Sequence, residues 1–243
     1  MEKKLITFNG DKKLKKDLLA EIGKHEKADE IKQGQYEGHE GNKLRLCAVG
    51  CSLFSLNAIR GKHIKTSDHS AFEPELGIPQ VLARLFDRMF EGLKFEEAKT
   101  FPREFIEAIP VGVDIRKVYM RFIHWLLVDA EHGVLKYAKR DESKKAINTV
   151  ASLYFKQIND EVVETESWQK ATEQAAAAAA ADAAAAYAAY AAAADAAAAA
   201  DAADAAAAAD AADAADAAYA GDARHNAWHI QKEKLLELLR ESK

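Results

Sequence analysis

A mainly α-helical chain, with at most a small β element, is the fold class this sequence predicts, and three observations predict it. Residues 175–220 hold 36 alanines, seven aspartates and three tyrosines and nothing else, and alanine is the strongest helix former because its side chain loses no rotamer freedom. No proline follows Pro110, so nothing downstream interrupts a helix. Several other stretches place apolar residues at i, i+3, i+4 and i+7, the signature of a helix with one buried face. The expected architecture is a helical body over residues 1–165, an alanine/aspartate-rich helical tract over 166–222 and a short amphipathic terminal helix over 223–243.

Taken in order, Leu5-Ile6-Thr7-Phe8 reads as a short strand closed by Asn9-Gly10. A charged helix is expected from Asp11 to Lys32, with Leu14, Leu18, Leu19 and Ile22 inward. Gly34, Gly38 and Gly41 punctuate a loop or hairpin holding Tyr36 and His39. A helix begins near Cys47, and Gly61–Ser70 forms a polar loop with His63 and His69. Pro79 suits the first turn of a helix, where a missing N–H costs nothing. That helix carries Leu82, Leu85, Phe86, Met89 and Leu93 at core spacing. Pro102 is expected to open a short helix ended by Pro110. Asp114 reads as the cap of the most apolar helix, built on Ile115, Val118, Tyr119, Phe122 and Leu126. Ile147, Val150, Ala151, Tyr154 and Ile158 mark a further amphipathic helix. In the tail Trp228, Leu235 and Leu239 share a face among Lys232, Glu233 and Lys234, the pattern of a docking or self-association element.

A straight helix over the 46 residues 175–220 would run roughly 70 Å. Its polar residues from Asp195 to Asp222 fall at multiples of three. A three-residue step slips back by about 60° against the 3.6-residue turn, so these aspartates wind around the helix and define no wet face. The tract is therefore neither heptad nor simple amphipath. A spacer, a close-packed rod and an ice-binding or nucleic-acid-mimicking surface are the alternatives.

The net charge of −5 argues against a general nucleic-acid binder. Two cysteines and a charged N-terminus without a long apolar run point to a reducing, cytoplasmic setting. The aspartates make the tract a poor membrane span.

Cys47-x3-Cys51 is the sharpest local signal for chemistry. On a helix the two thiols lie one turn apart on one face, and a helix N-terminus favours thiolate. One reading makes Cys47 or Cys51 a nucleophile with His69 or His132 as base. Another gathers Tyr36, His39, Cys47, Cys51 and His69 into a ligand-binding cluster. A third draws zinc to Cys47, Cys51, His63 and His69. The plain alternative is two buried, apolar-behaving cysteines. His132 also suits a helix C-terminal cap, His124 a core position, and His225 with His229 a solvated i, i+4 pair. Glu73 and Glu75 flank Pro74 as an acidic corner. Phosphate-loop, dinucleotide, nucleophile-elbow and His-Glu-x-x-His motifs are absent from the sequence.

The ordered set Cys47-Ala48-Val49-Gly50-Cys51, Glu75-Leu76-Gly77-Ile78-Pro79, Phe90-Glu91-Gly92-Leu93, Ala108-Ile109-Pro110-Val111-Gly112 and Glu131-His132-Gly133-Val134-Leu135, followed by an alanine-rich helix, resembles a group of uncharacterised bacterial, prophage and phage proteins. The likeness spans the whole chain, although the segment between Cys51 and Glu73 is longer than that group leads one to expect. That group has no established activity and supplies context only. With no complete catalytic set in the sequence, the expectation is a non-enzymatic phage-type accessory protein that binds a host protein or small ligand, with counteraction of a host defence entering by analogy. The alternatives are a cysteine-dependent hydrolase or transferase, and a scaffold component whose rod is the working part, with a homo-oligomer formed through residues 166–243.

Overall fold

The computed structural model describes residues 5–181 and 223–243, and within them the chain is mainly helical with one two-stranded hairpin. The alanine tract from Asp182 to Asp222 lies outside the described residues, as do the readings that rest on it. The described residues belong to two compact units, Met1–Arg116 with Lys232–Lys243, and Lys117–Gln231. These units are drawn by packing, whereas the segments 1–165, 166–222 and 223–243 are drawn by composition.

Residues 5–8 form no strand; Thr7–Gly10 is a 3-10 turn in which Phe8 and Asn9 both take φ 53°. Thr7 instead donates its N–H to Val113 and accepts from Gly112, while its hydroxyl donates to the Pro110 carbonyl at 2.6 Å. The backbone partners lie more than a hundred residues away, so no local pattern announces them. Helix α1 (Lys12–Lys27) is capped by the Asp11 carboxylate, which accepts from the N–H groups of Lys13 and Leu14, and it buries Leu14, Leu18 and Ile22. It stops five residues short of the expected Lys32. Asp29 turns left-handed at φ 53°, and Ile31 then bridges to Leu46.

The expected hairpin is β1 (Glu37–Glu40) paired antiparallel with β2 (Lys43–Leu46), turning at Gly41 with φ +62°. Helix α2 (Ala48–Arg60) starts directly after Cys47 and ends at Gly61, a left-handed position that glycine adopts without strain. The loop after it is less open than expected, because His69–Ala71 forms a 3-10 turn in which His69 is buried. Short α3 (Phe72–Leu76) follows, then α4 (Gln80–Gly92), whose first N–H is accepted by Glu73 at 2.9 Å. Glu75 pairs with Lys62 at 2.6 Å. The acidic corner thus caps a helix and ties down a loop.

Helix α5 (Phe95–Ala108) holds Pro102 in its interior, where the sequence suggested a helix start. An interior proline costs about 3 kcal/mol through its missing N–H and ring clash. Burial of Ala98, Phe101, Phe105 and Ile106 on the same helix offsets that cost, since each large apolar side chain removed from water contributes roughly 1.5–3 kcal/mol. Phe86 of α4 stacks on Phe105 with centroids 4.1 Å apart and meets Phe101 edge-on at 5.2 Å. Helices α1, α2, α4 and α5 pack on one another around this aromatic centre.

The second unit contains α6 (Arg116–Val128, from Lys117 onward), α7 (Asp141–Ile158), α8 (Thr165–Ala181) and the start of α9 (Ala223–Arg240). Helix α6 begins at Arg116, whose N–H is accepted by Asp114 at 3.0 Å, and it buries Val118, Tyr119, Phe122, Ile123, Leu126 and Leu127. Tyr154 meets Tyr119 and Trp168 edge-on at 6.3 and 4.9 Å. His124 is half-buried against Phe155, and burial lowers its pKa.

Residues 232–243 belong to the first unit. Leu235, Leu236, Leu238 and Leu239 are buried, and so is Lys232, which the sequence suggested as a flanking charge. It lies on the Leu235/Leu239 face and pairs with Glu104 of α5 at 3.1 Å and with Glu97 at 3.9 Å. Burial pulls the Lys232 ammonium down, but its bonds to Glu104 and Glu233 outweigh that and hold it above its ordinary value. No helix among the described residues is long and apolar enough to cross a membrane.

Candidate functional site

The first unit brings three side chains from three different segments onto one carboxylate. Asp87, on α4, accepts the Tyr36 hydroxyl at 3.1 Å and His69 Nε2 at 3.0 Å on Oδ2. The Cys47 thiol faces its Oδ1 at 3.6 Å. Tyr36 comes from the strand-leading loop, Cys47 from the start of α2, and His69 from the 3-10 turn before α3. The Tyr36 and His69 rings meet nearly perpendicular, with centroids 5.7 Å apart.

Local chain geometry explains each placement. Cys47 precedes the first turn of α2, and its sulfur accepts the Gly50 N–H at 3.3 Å, in the role Ser or Asp usually plays at such a position. Its own N–H donates to the Gln35 carbonyl, which draws the Tyr36 loop over the start of the helix. A Cβ at Gly50 would sit 1.8 Å from the Tyr36 carbonyl oxygen, so the approach requires glycine. The same loop is pinned to the end of α4: Gln33 Nε2 donates to the carbonyls of Phe90, Glu91 and Leu93, and the Gly34 N–H donates to the Glu91 carboxylate at 2.9 Å. His69 Nδ1 contacts the Ser67 carbonyl at 3.2 Å, which fixes the ring with Nε2 toward Asp87.

The electrostatics follow from this crowding. Burial pushes the Cys47 thiol far above its ordinary range, and the Asp87 carboxylate pushes it further; the N–H groups of Gly50 and Val49 pull the other way. Burial, followed by the charge and hydrogen bond of Asp87, raises the Tyr36 phenol to about 12. Burial also raises Glu91. The Tyr36 phenol and the Cys47 thiol therefore both hold their protons near neutral pH, each directed at Asp87.

Of the residues singled out by sequence, Tyr36, Cys47 and His69 meet here. Cys51 lies one turn on and faces Ser55; burial raises its thiol, and Glu30 and Glu26 add to that rise. His39 is exposed on β1 opposite Leu44, and His63 is exposed in the loop after α2. His132 belongs to the second unit, beside Trp125, and its backbone N–H is accepted by Asp129 at 2.8 Å. His229 is exposed on α9, and the side chain of His225 lies outside the described residues. Among the described residues no group of three His, Cys, Asp or Glu side chains is arranged to hold a metal ion.

Asp87 itself is the residue that sequence reasoning missed. Its neighbours at i−4 and i+3, Ala83 and Phe90, are both fully buried, so it places a charge on the inward face of an amphipathic helix. A buried-face carboxylate needs donors, and that was the available signal. No protein-family model, no curated protein and no solved structure matches this chain.

Proposed function

We propose that this chain is a non-enzymatic accessory protein that binds a small ligand or a host protein through the Tyr36–His69–Asp87 face of its first unit. One observation carries the reading. The candidate nucleophile, Cys47, directs its thiol at the Asp87 carboxylate at 3.6 Å rather than at an imidazole. A nucleophilic thiolate would have to form beside that negative charge, in a buried position, and the one imidazole of the cluster is already committed to Asp87. An arrangement of this kind presents fixed polar groups and holds its thiol protonated, which suits recognition better than covalent catalysis. The resemblance to bacterial, prophage and phage proteins supplies the accessory role, with interference in a host defence as its sharpest form; that step is analogy of kind.

Alkylation of the folded, full-length chain with iodoacetamide at neutral pH, read by mass spectrometry at each cysteine, tests the reading. Slow labelling at both Cys47 and Cys51 is the expected result. Fast, stoichiometric labelling at Cys47 would overturn it and return the cysteine-dependent hydrolase or transferase to first place.

A further inference from the structure

In the second unit α7 and α8 pack along each other, and their contact changes character from one end to the other. Where α7 ends and α8 begins, Tyr154 and Trp168 meet edge-on at 4.9 Å, and both are buried. The inward stripe of α8 then continues as Ala171, Ala175 and Ala178. The separation of two packed helices depends on the side chains between them. A tyrosine and a tryptophan hold the axes apart at one end, and alanines cannot fill that spacing at the other. What remains there is a cavity of about 320 Å³, open on one side to solvent. Ala146 of α7 and Ala178 of α8, both buried, form its floor. Arg140, Glu142, Lys145 and Gln174, all exposed, stand at its rim, and the lining is mostly apolar.

We propose that this cavity is a site for a medium-chain monocarboxylate, its hydrocarbon chain along the alanine floor and its carboxylate at Arg140 and Lys145. Ligand pockets run from roughly 300 to 1,000 Å³, so this one suits a chain of about eight carbons rather than a large cofactor. Water above an alanine floor finds few partners, and an apolar group that displaces it gains affinity. A sugar or an amino acid would lose hydration on the same floor without recovering hydrogen bonds. The rim sets the charge. Arg140 and Lys145 carry donors only, which match a carboxylate. Glu142 on the same rim disfavours a second negative charge, so a monoanion is preferred to a phosphate ester. The site lies wholly in the second unit and does not depend on the reading of the Tyr36–His69–Asp87 face.

The test is isothermal titration calorimetry of the full-length chain with octanoate, hexanoate, octanol and octyl phosphate. Octanoate is expected to bind saturably at one site. Hexanoate, two methylenes shorter, should bind about tenfold more weakly. Octanol lacks the charge that two exposed ion pairs would meet and should also bind about tenfold more weakly. Replacing Arg140→Gln and Lys145→Gln together should bring octanoate down to the level of octanol. Ala177 lines the cavity and is exposed, so Ala177→Leu fills the space without disturbing the core and should abolish binding with the thermal midpoint unchanged. Ala176→Leu, exposed one residue earlier and outside the lining, should bind as the parent does. No saturable octanoate binding, equal affinity for octanol, tighter binding of octyl phosphate, or octanoate binding retained by Ala177→Leu would each overturn the proposal. An alanine- and aspartate-rich helical peptide that displaces octanoate and binds more tightly would overturn it too, by making the cavity a seat for a helix.

Discussion

Asp87→Asn is the most informative single change, because it keeps the shape of the hub and removes its charge. The carboxylate accepts at 3.0 Å from His69, at 3.1 Å from Tyr36 and at 3.6 Å from Cys47. An asparagine whose one acceptor oxygen takes the place of Oδ2 keeps Tyr36 and His69 only as neutral bonds, and its NH₂ group then faces the Cys47 thiol, whose S–H loses its acceptor. Tyr36 is 39% exposed and can turn its hydroxyl to water, whereas His69 and Cys47 are 8% and 1% exposed and cannot. A hydrogen bond to a charged group is worth about 1.5–3 kcal/mol, and a stranded buried donor costs about 1–3 kcal/mol. The bond at 3.6 Å to a thiol adds little. The loss should therefore be ~2–4 kcal/mol, read as a lower urea midpoint at an unchanged slope. A second, independent readout is the thiol. Burial still holds Cys47 high, but the contribution of Asp87 is gone. Each pKa unit recovered raises the thiolate fraction roughly tenfold, so Cys47 should alkylate faster while Cys51 does not change. A variant within about 0.5 kcal/mol of the parent, the range of an ordinary surface substitution, with Cys47 labelling unaltered would refute the account of Asp87 as the hub.

Three further predictions concern the same unit. Leu239 is fully buried although its helix returns from the far end of the chain, so Leu239→Ala should cost about 2–5 kcal/mol. A chain ending at Gln231 would also leave Glu97 and Glu104 without Lys232; equal urea midpoints for that truncation and the full chain would refute the assignment of residues 232–243 to the first unit. Lys43 and Lys99 hold the Asp29 carboxylate well below its ordinary value of 3.8. The native state therefore binds fewer protons there than the unfolded chain. The stabilisation is complete above the unfolded pKa and is lost as pH falls below about 4. Asp29→Asn should flatten the acid limb of a stability-against-pH curve, and an unaltered limb would count against the ion pairs.

Much of the secondary structure was legible because its causes are local. Asp11 followed by a periodic Leu14, Leu18 and Ile22 makes a capped amphipathic helix wherever it occurs. The glycines around His39 make a hairpin, and Cys47 marks a helix start because its side chain satisfies a first-turn N–H. The misreadings share a cause. Leu5-Ile6-Thr7-Phe8 has the composition of a strand, but a strand needs a partner, and Thr7 finds its partners at Gly112 and Val113 in a geometry that suits a turn. Pro102 has the composition of a helix start, but its neighbours on both sides bury one continuous apolar face, and packing outweighs a propensity of a few kcal/mol.

The candidate site divides along the same line. The sequence by itself determined that Tyr36, Cys47 and His69 are chemically able groups lying near one another along the chain, and that Cys47 stands at the head of a helix. Only the tertiary structure decided which of the singled-out residues meet. It turned Cys51 toward Ser55, left His39 and His63 at the surface, and supplied Asp87, which is 40 residues beyond Cys47 and 51 beyond Tyr36. It also returned residues 232–243 to the unit built by the first 116. The physical reason is that propensity and periodicity act over a few turns of chain, whereas a buried carboxylate or ammonium is stable only where the fold as a whole gathers its partners.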